Sequence, residues 1–257
     1  MKITLVQSRG HIDDPEANYG KTKMRVGTID SDIFIFPEMY MCGYVSTRDK
    51  MHIKIIENRM LAKYRDYSQK RDSMIVCGGP QSENDVMYNS TYIINGQDVK
   101  VYRKIHLPSK GATDETKLFS PGKEPLIVEH KGLKFGFAMS HDLFFPEMFG
   151  WYAANDVDMV ICISAVPEDV MNDYEKLIAA RAVENSMYIM FVNMVGPDPG
   201  VTMIGRSRFV SPSGEIMESC SESSDVREIR IDEKVIKESK GNRFTIAERR
   251  KDVNWKI

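Results

Sequence analysis

Three side chains could share one reaction if the fold brings them together. Glu38 follows the apolar run "DIFIFP", Lys104 follows "DVKVYR", and Ser140 follows "FGFAM". Each run has the length and the β-branched or aromatic content of a buried strand. Each residue therefore stands at the C-terminal end of a strand, where open α/β sheets place their ligand sites. A carboxylate, an ammonium and a hydroxyl are parts of an acyl-transfer site: a base, a fixed positive charge and a nucleophile. Taken singly, each has an ordinary explanation. A Glu after Pro is a solvated loop carboxylate, a Lys at a strand end is surface charge, and a Ser opening a turn is a cap. Only a meeting in space would make them a site.

Other chemistries find less support. Ser140-His141-Asp142 spells a triad in a row, but successive residues of an extended chain alternate faces and would not form a relay. There is no G-x-S-x-G elbow. The five histidines occur without H-E-x-x-H and without Cys/His pairs, so no metal is expected. "CGGPQ" and "GPDPG" read as Gly/Pro turns and not as phosphate loops. With G-x-G-x-x-G absent as well, no cofactor is expected.

The elements that must position these residues are short strands alternating with amphipathic helices. "KITLVQ", "SDIFIF", "SMIVCGG", "STYIING", "DVKVYRK", "LKFGFAM", "DMVICIS", "MYIMFVN", "SRFVSP" and "VREIRI" read as strands. Several are apolar on both faces, as in a sheet covered on both sides. Ile94-Asn95-Gly96-Gln97 signals a hairpin. Helices are expected in "PEANYGKTKMRVGTI", with Pro15 at its first position, and in residues 47–72, where Ile53, Ile56, Met60, Leu61 and Tyr64 share a face. "PEMFGWYAAND" and "DVMNDYEKLIAARAVENS" complete the set. No linker or repeat divides the 257 residues, so one α/β domain over 1–257 is expected.

Composition excludes several partners. The formal net charge is −2, which provides no field for nucleic acid or an anionic membrane. No segment approaches the ~20 apolar residues of a membrane span, and "MKITLVQSRG" is too short an apolar run for a signal peptide. A cytoplasmic protein is expected. Cys42, Cys77, Cys162 and Cys220 are widely spaced and read as buried thiols. Asn89-Ser90-Thr91 matches a glycosylation acceptor that has no use without secretion. The 17 methionines read as packing filler.

"FPEMYMCGY" (36–44), "YRKIHL" (102–107) and "FGFAMSHDLFFPE" (135–147) resemble, in order, the three signature segments of the nitrilase, or carbon–nitrogen hydrolase, superfamily. The resemblance extends through "MYNSTYIINGQ", "DETKLFSPGK", "RAVENSMYIMFVNMVG", "IGRSRFVSPSGEI" and "ERRKDVN", and so covers nearly the whole chain. It implies a four-layer α-β-β-α sandwich and a Glu-Lys-Cys catalytic set. By position, Glu38 would be the general base, Lys104 the electrostatic stabiliser, residue 140 the nucleophile and Glu115 a second acid beside the lysine. The backbone N–H of His141 would share the oxyanion with Lys104.

Position 140 departs from that pattern: the family has Cys where this chain has Ser140. A thiol, with a pKa near ~8.5, yields thiolate beside a base, whereas an alkyl hydroxyl is far less acidic. Ser140 therefore reads as an engineered Cys→Ser change that nearly silences turnover. A native serine enzyme of weak activity and a natural ligand-binding pseudoenzyme are the alternatives. Nitrilases proper follow the nucleophile with Trp-Glu; His141-Asp142 is closer to the amidase and carbamoylase branches, with nitrile hydrolysis as the alternative. Branches that handle ω-amides of carboxylic acids commonly carry Arg at the position of Phe144. Its replacement removes a bidentate carboxylate clamp and favours a small amide or N-carbamoyl substrate with a neutral or amine-bearing group. "SHDLFFPE" resembles the aromatic-rich segment of N-carbamoyl-polyamine hydrolases. Tyr40, Tyr44, His141, Phe144 and Phe145 are the expected pocket residues, and core packing is the alternative for the aromatic ones. The resemblance also implies a homodimer or larger assembly, with Trp151 and the tail from about 241 to 257 at the interface.

Overall fold

The computed structural model describes residues 1–12, 14–44, 50–110, 114–198, 200–239, 247, 248 and 250, with side chains 50–58, 198 and 239 set aside. Two six-stranded mixed sheets form its centre. The first contains β1 (Lys2–Gln7), β2 (Ile33–Ile35), β3 (Met74–Glu83), β4 (Val86–Asn95), β5 (Asp98–Arg103) and β14 (Asp225–Arg230). Its order is β14-β1-β2-β3-β4-β5. β1, β2 and β3 are parallel, while β4, β5 and β14 pair antiparallel. The second contains β6 (Ile127–His130), β7 (Leu133–Met139), β8 (Met159–Ser164), β9 (Tyr188–Asn193), β12 (Arg208–Val210) and β13 (Ile216–Ser219). Its order is β13-β12-β9-β8-β7-β6, with β7, β8 and β9 parallel. β10 (Val195–Asp198) and β11 (Val201–Ile204) form a separate two-stranded ribbon.

The parallel strands are apolar on both faces because both faces are covered. Between the sheets lie Ile3, Leu5, Ile33, Ile35, Phe135, Phe137, Met139, Ile161 and Ile163, among others. The intervening residues Phe34, Ile75 and Cys77 turn outward with Met60 and Tyr64 of α2 (Lys50–Arg71). α1 (Pro15–Val26) contributes Val26 to the same layer and starts at Pro15 behind the Asp14 N-cap, whose carboxylate accepts from the Ala17 N–H at 2.9 Å. On the second sheet, Ala138, Val160, Cys162 and Ile189 turn outward against Phe149 and Tyr152 of α3 (Pro146–Ala154) and Ile178 and Ala182 of α4 (Met171–Asn185). These layers are the α-β-β-α sandwich. A short α5 (Glu233–Ser239) follows β14. Among the described residues no helix is long and apolar enough to cross a membrane.

The hairpin expected at 94–97 is present: Asn95 pairs with Asp98 around Gly96, whose φ is +59°. Four strands were not expected from the sequence. β6, β10, β11 and β13 are each four residues long, too short for a periodic signal, and β13 is largely exposed. "CGGP" is corrected from a turn to the middle of β3. An added Cβ at Gly78 would lie 2.4 Å from the Met39 nitrogen and 2.5 Å from the Glu38 Cα. The glycine is there so that another stretch of backbone can lie against the strand. "GPDPG" is likewise not only a turn, since Val195–Asp198 forms β10 and the turn sits at Gly200, with φ +82°. All four cysteines are buried and outside any disulfide among the described residues. Ile53 and Ile56 lie among the side chains set aside, and most of the tail from 241 lies outside the described residues.

Candidate active site

Glu38 is carried by the loop that leaves β2. Pro37 ends the strand, the Phe36 N–H still donates to the Val76 carbonyl at 2.8 Å, and Gly78 N–H donates to the Pro37 carbonyl at 3.1 Å. The loop is thus seated on β3, and Gly78 makes room for it. The Glu38 side chain is fully buried, where an ionised carboxylate survives only if it is paired. Its Oε1 accepts from Lys104 Nζ at 2.9 Å and from Asn89 Nδ2 at 2.7 Å. Its Oε2 accepts the Ser140 hydroxyl and, at 2.9 Å, the Ala165 N–H just beyond β8. The same N–H lies 3.2 Å from Ser140 Oγ.

Lys104 follows β5 and is 1 % exposed. Its main chain is held in the first sheet by Lys104 N–H to the Asn89 carbonyl (2.9 Å) and by Gly122 N–H to its own carbonyl (2.7 Å). The ammonium donates to Glu38 and, at 2.7 Å, to Glu115 Oε1. Burial alone would lower its pKa, but the Glu115 and Glu38 carboxylates outweigh that and hold it well above the usual lysine range. Glu115 moves the other way: burial raises it, Lys104 opposes, and the Glu38 charge raises it further. Two buried acids facing one cation make the second proton easier to keep. Asn89 bridges them, since its Nδ2 also donates to Glu115 Oε2 at 3.1 Å. Tyr44 donates its hydroxyl to Glu115 Oε1 at 3.0 Å. Burial, then the Glu115 and Glu38 charges, push the Tyr44 phenol up, so it stays a donor.

Ser140 opens a 3₁₀ turn, Ser140–Phe144, directly after β7. Its φ of +31° is a left-handed conformation that a non-glycine residue holds only when its surroundings enforce it. The sharp turn aims the hydroxyl out of the second sheet toward Glu38 of the first. Ser140-His141-Asp142 form no relay, although not for the reason expected: they lie on a 3₁₀ turn and not on a strand. Asp142 faces away from Ser140, accepting from Tyr102 Oη (2.7 Å), Met139 N–H (2.9 Å) and His106 N–H (2.9 Å).

Above Ser140 opens a cavity of about 960 Å³ lined by Tyr44, Lys104, Glu115, Ser140, His141, Phe144, Ala165, Tyr174 and a rim that includes Lys110, Glu168, Asp169 and Val170. His141 is half-buried, and burial, then the Lys104 charge, lower its pKa, which favours the neutral ring. Phe144 is 40 % exposed and meets Tyr174 edge-on at 5.3 Å. Phe145 is corrected: it does not line the cavity but stacks on His106 at 3.6 Å and 7°, because the turn directs it toward the Lys104 loop. Tyr40 is core, stacked on Phe36 with its hydroxyl near Thr22. Asn89, Tyr174 and the Ala165 N–H were missed by sequence reasoning. Asn89 carried only a glycosylation signal, which its full burial rules out of use in the folded chain. Among the described residues no group of three or more His, Cys, Asp or Glu is placed to hold a metal.

Known proteins share this architecture. The chain is 28 % identical to the nitrilase of Pyrococcus abyssi (strain GE5 / Orsay) over 235 residues, covering 88 % of this chain and 87 % of that one. It is 28 % identical to the (R)-stereoselective amidase of a Pseudomonas species, covering 84 % and 80 %. The structure of XC1258 from Xanthomonas campestris, described as a CN-hydrolase superfamily protein, superposes with a TM-score of 0.90 at 21 % identity, covering 99 % of each chain. Against the glutamine-dependent NAD+ synthetase of Acinetobacter baumannii (24 % identity, TM-score 0.82), 91 % of this chain is matched but only 46 % of that longer one. Residues 2–240 match the carbon-nitrogen hydrolase family itself. The resemblance first carried by the segments around Glu38, Lys104 and Ser140 is therefore one of membership: this chain belongs to the carbon–nitrogen hydrolase family.

Proposed function

We propose that the site cleaves the C–N bond of a small amide or N-carbamoyl compound through an acyl-enzyme, with Glu38 as base, Lys104 as electrostatic stabiliser and residue 140 as nucleophile. The observation that carries this reading is the Glu38 carboxylate, which accepts from Lys104 Nζ at 2.9 Å and from the Ser140 hydroxyl at the floor of one cavity. Glu38 takes the proton of the nucleophile as its oxygen or sulfur attacks the carbonyl carbon. The Lys104 ammonium and the His141 N–H meet the negative charge that develops on the carbonyl oxygen. Collapse breaks the C–N bond, and the proton on Glu38 passes to the departing ammonia or amine. Glu38 then takes a proton from water as it attacks the acyl carbon. Cleavage of the acyl bond to residue 140 releases the acid, and the proton passes from Glu38 to the departing sulfur or oxygen, restoring base and nucleophile. Glu115 acts on this scheme by holding Lys104 in place.

With oxygen at 140, the first step lacks a readily formed anion, and turnover is strongly reduced. A Cys→Ser exchange in an otherwise intact site accounts for the retained pairing of Glu38, Lys104 and Glu115. Restoring sulfur in Ser140→Cys and measuring ammonia release from aliphatic amides, ω-amides, N-carbamoyl amines and nitriles tests the reading. A gain on amides or N-carbamoyl compounds is the expected result. No gain on any of them would leave a ligand-binding protein as the better account, and a gain confined to nitriles would replace amidase with nitrilase.

The cavity also favours a neutral or amine-bearing substrate over an ω-amido acid. Among the described residues no arginine lines it, Phe144 occupies the wall, and Glu168 and Asp169 outnumber Lys110 at the rim. We further place the chain in the cytoplasm as one domain of a homodimer, with Trp151 of α3, 42 % exposed, and the tail from about 241 in the contact.

A further inference from the structure

We propose that Asp142 is a positioning residue, a single buried carboxylate that clasps the Lys104 loop to the Ser140 turn and so keeps ammonium and nucleophile in register across the two sheets. The inference rests on the acyl-transfer reading above. Asp142 is fully buried and both its oxygens are engaged. Oδ2 accepts from Tyr102 Oη at 2.7 Å and from the Met139 N–H at 2.9 Å. Oδ1 accepts from the His106 N–H at 2.9 Å and lies 2.9 Å from His106 Nδ1. An ionised carboxylate only accepts, so Nδ1 carries the ring proton.

The positions of these donors give the clasp its meaning. Tyr102 and His106 flank Lys104, each two residues away, and Met139 immediately precedes Ser140. Lys104's own main-chain bonds, to Asn89 and Gly122, tie it within the first sheet. The Asp142 carboxylate ties that segment to the second. On the Ser140 side it closes the turn that holds φ at +31°, a strained conformation that persists only where its surroundings over-determine it. Phe145, stacked on His106, braces the ring from the other side, which explains why it left the cavity wall. Reacting groups displaced by about 1 Å lose on the order of 10²-fold in rate, so a bond network of this kind acts on kcat.

Asp142→Asn tests this in the Ser140→Cys protein. An amide presents one oxygen and one NH₂, so one pair of donors faces a donor and loses its acceptor. The expected result is a fall of kcat by about 10²-fold on the best amide, with KM little changed. Alkylation of the thiol at 140 by iodoacetamide, followed by mass spectrometry, should slow about tenfold as its activation by Glu38 and Lys104 weakens. Peptide mapping assigns the label to position 140, since Cys220, 7 % exposed, is no more buried than residue 140 at 5 %. Unchanged kcat and alkylation beside a lowered Tm would overturn the proposal and leave Asp142 as packing. Should Asp142→Asn not fold, Tyr102→Phe removes one donor and keeps the ring, and the same two readouts decide in the same way. If Ser140→Cys with Asp142 intact hydrolyses neither an amide nor an N-carbamoyl compound, the functional reading fails, while alkylation still judges the clasp.

Discussion

The floor and the rim of the same cavity are built on opposite principles. On the floor, Lys104 and Glu115, with Glu38 buried beneath them, are at most 2 % exposed, and every charge touches at least two partners. At the rim, Glu168, Asp169 and Lys110 are exposed, and none of the three forms an ion pair among the described residues. Buried ions must be paired, because losing one partner strands the other in low dielectric at a cost of ~3–5 kcal/mol. Exposed ions need no partner, since water and salt already screen them. The difference teaches where chemistry and selection are separated: the floor admits one geometry, while the rim can vary with little effect on the fold.

Substitutions on the two levels should therefore differ by orders of magnitude. In the Ser140→Cys protein, Glu38→Gln keeps size and burial but removes the base, and activity on the best amide should fall by at least ~10²–10⁴-fold. Stopped ammonia release checks this; activity surviving near the parent level would refute Glu38 as base and collapse the distinction between floor and rim.

A smaller effect is expected from the second acid. Glu115 has a raised pKa in the fold, so the folded state keeps its proton to higher pH than the unfolded one. That contribution to stability is fully present below the unfolded value of ~4.3 and is lost as pH rises through the folded pKa. Glu115→Gln does not titrate. The Tm of the parent minus that of Glu115→Gln should consequently be larger at pH 4 than at pH 7, and a difference that grows with pH would show the sign to be wrong. The rim should respond least. Glu168→Gln and Asp169→Asn should raise KM for a cationic amide by about two- to fivefold at low salt and hardly at all at high salt. Neither change should touch kcat. A preference for ω-amido acids in the unmodified rim would reverse the charge argument.

How much of this was legible beforehand depends on how local the cause is. β7 and β8 read plainly because five apolar or small residues in a row, "FGFAM" and "MVICI", fit a short strand covered on both faces. Glu38 and Ser140 read as strand-end residues for the same reason, and Lys104 because the alternating "DVKVYR" precedes it. β13 did not, because "IMES" is short and exposed and becomes a strand only by pairing with β12. Gly78 looked like a turn residue because a glycine's letter does not say which backbone will approach it. Phe145 looked like a wall, since its neighbour Phe144 is one. The 3₁₀ turn ends at Phe144, and the extended backbone of Phe145 (φ −112°, ψ 94°) sends its ring to His106 instead.

The sequence by itself determined the layered α/β architecture and the family, since hydrophobic period and ordered motifs are local properties of the chain. The meeting of Glu38 and Ser140, 102 residues apart, the bridging by Asn89 and the clasp of Asp142 were decided only by tertiary structure. They depend on which strand ends two stacked sheets bring to one edge. Hydrogen bonding acts over about 3 Å, and no spacing along the chain encodes a distance that short between residues that far apart.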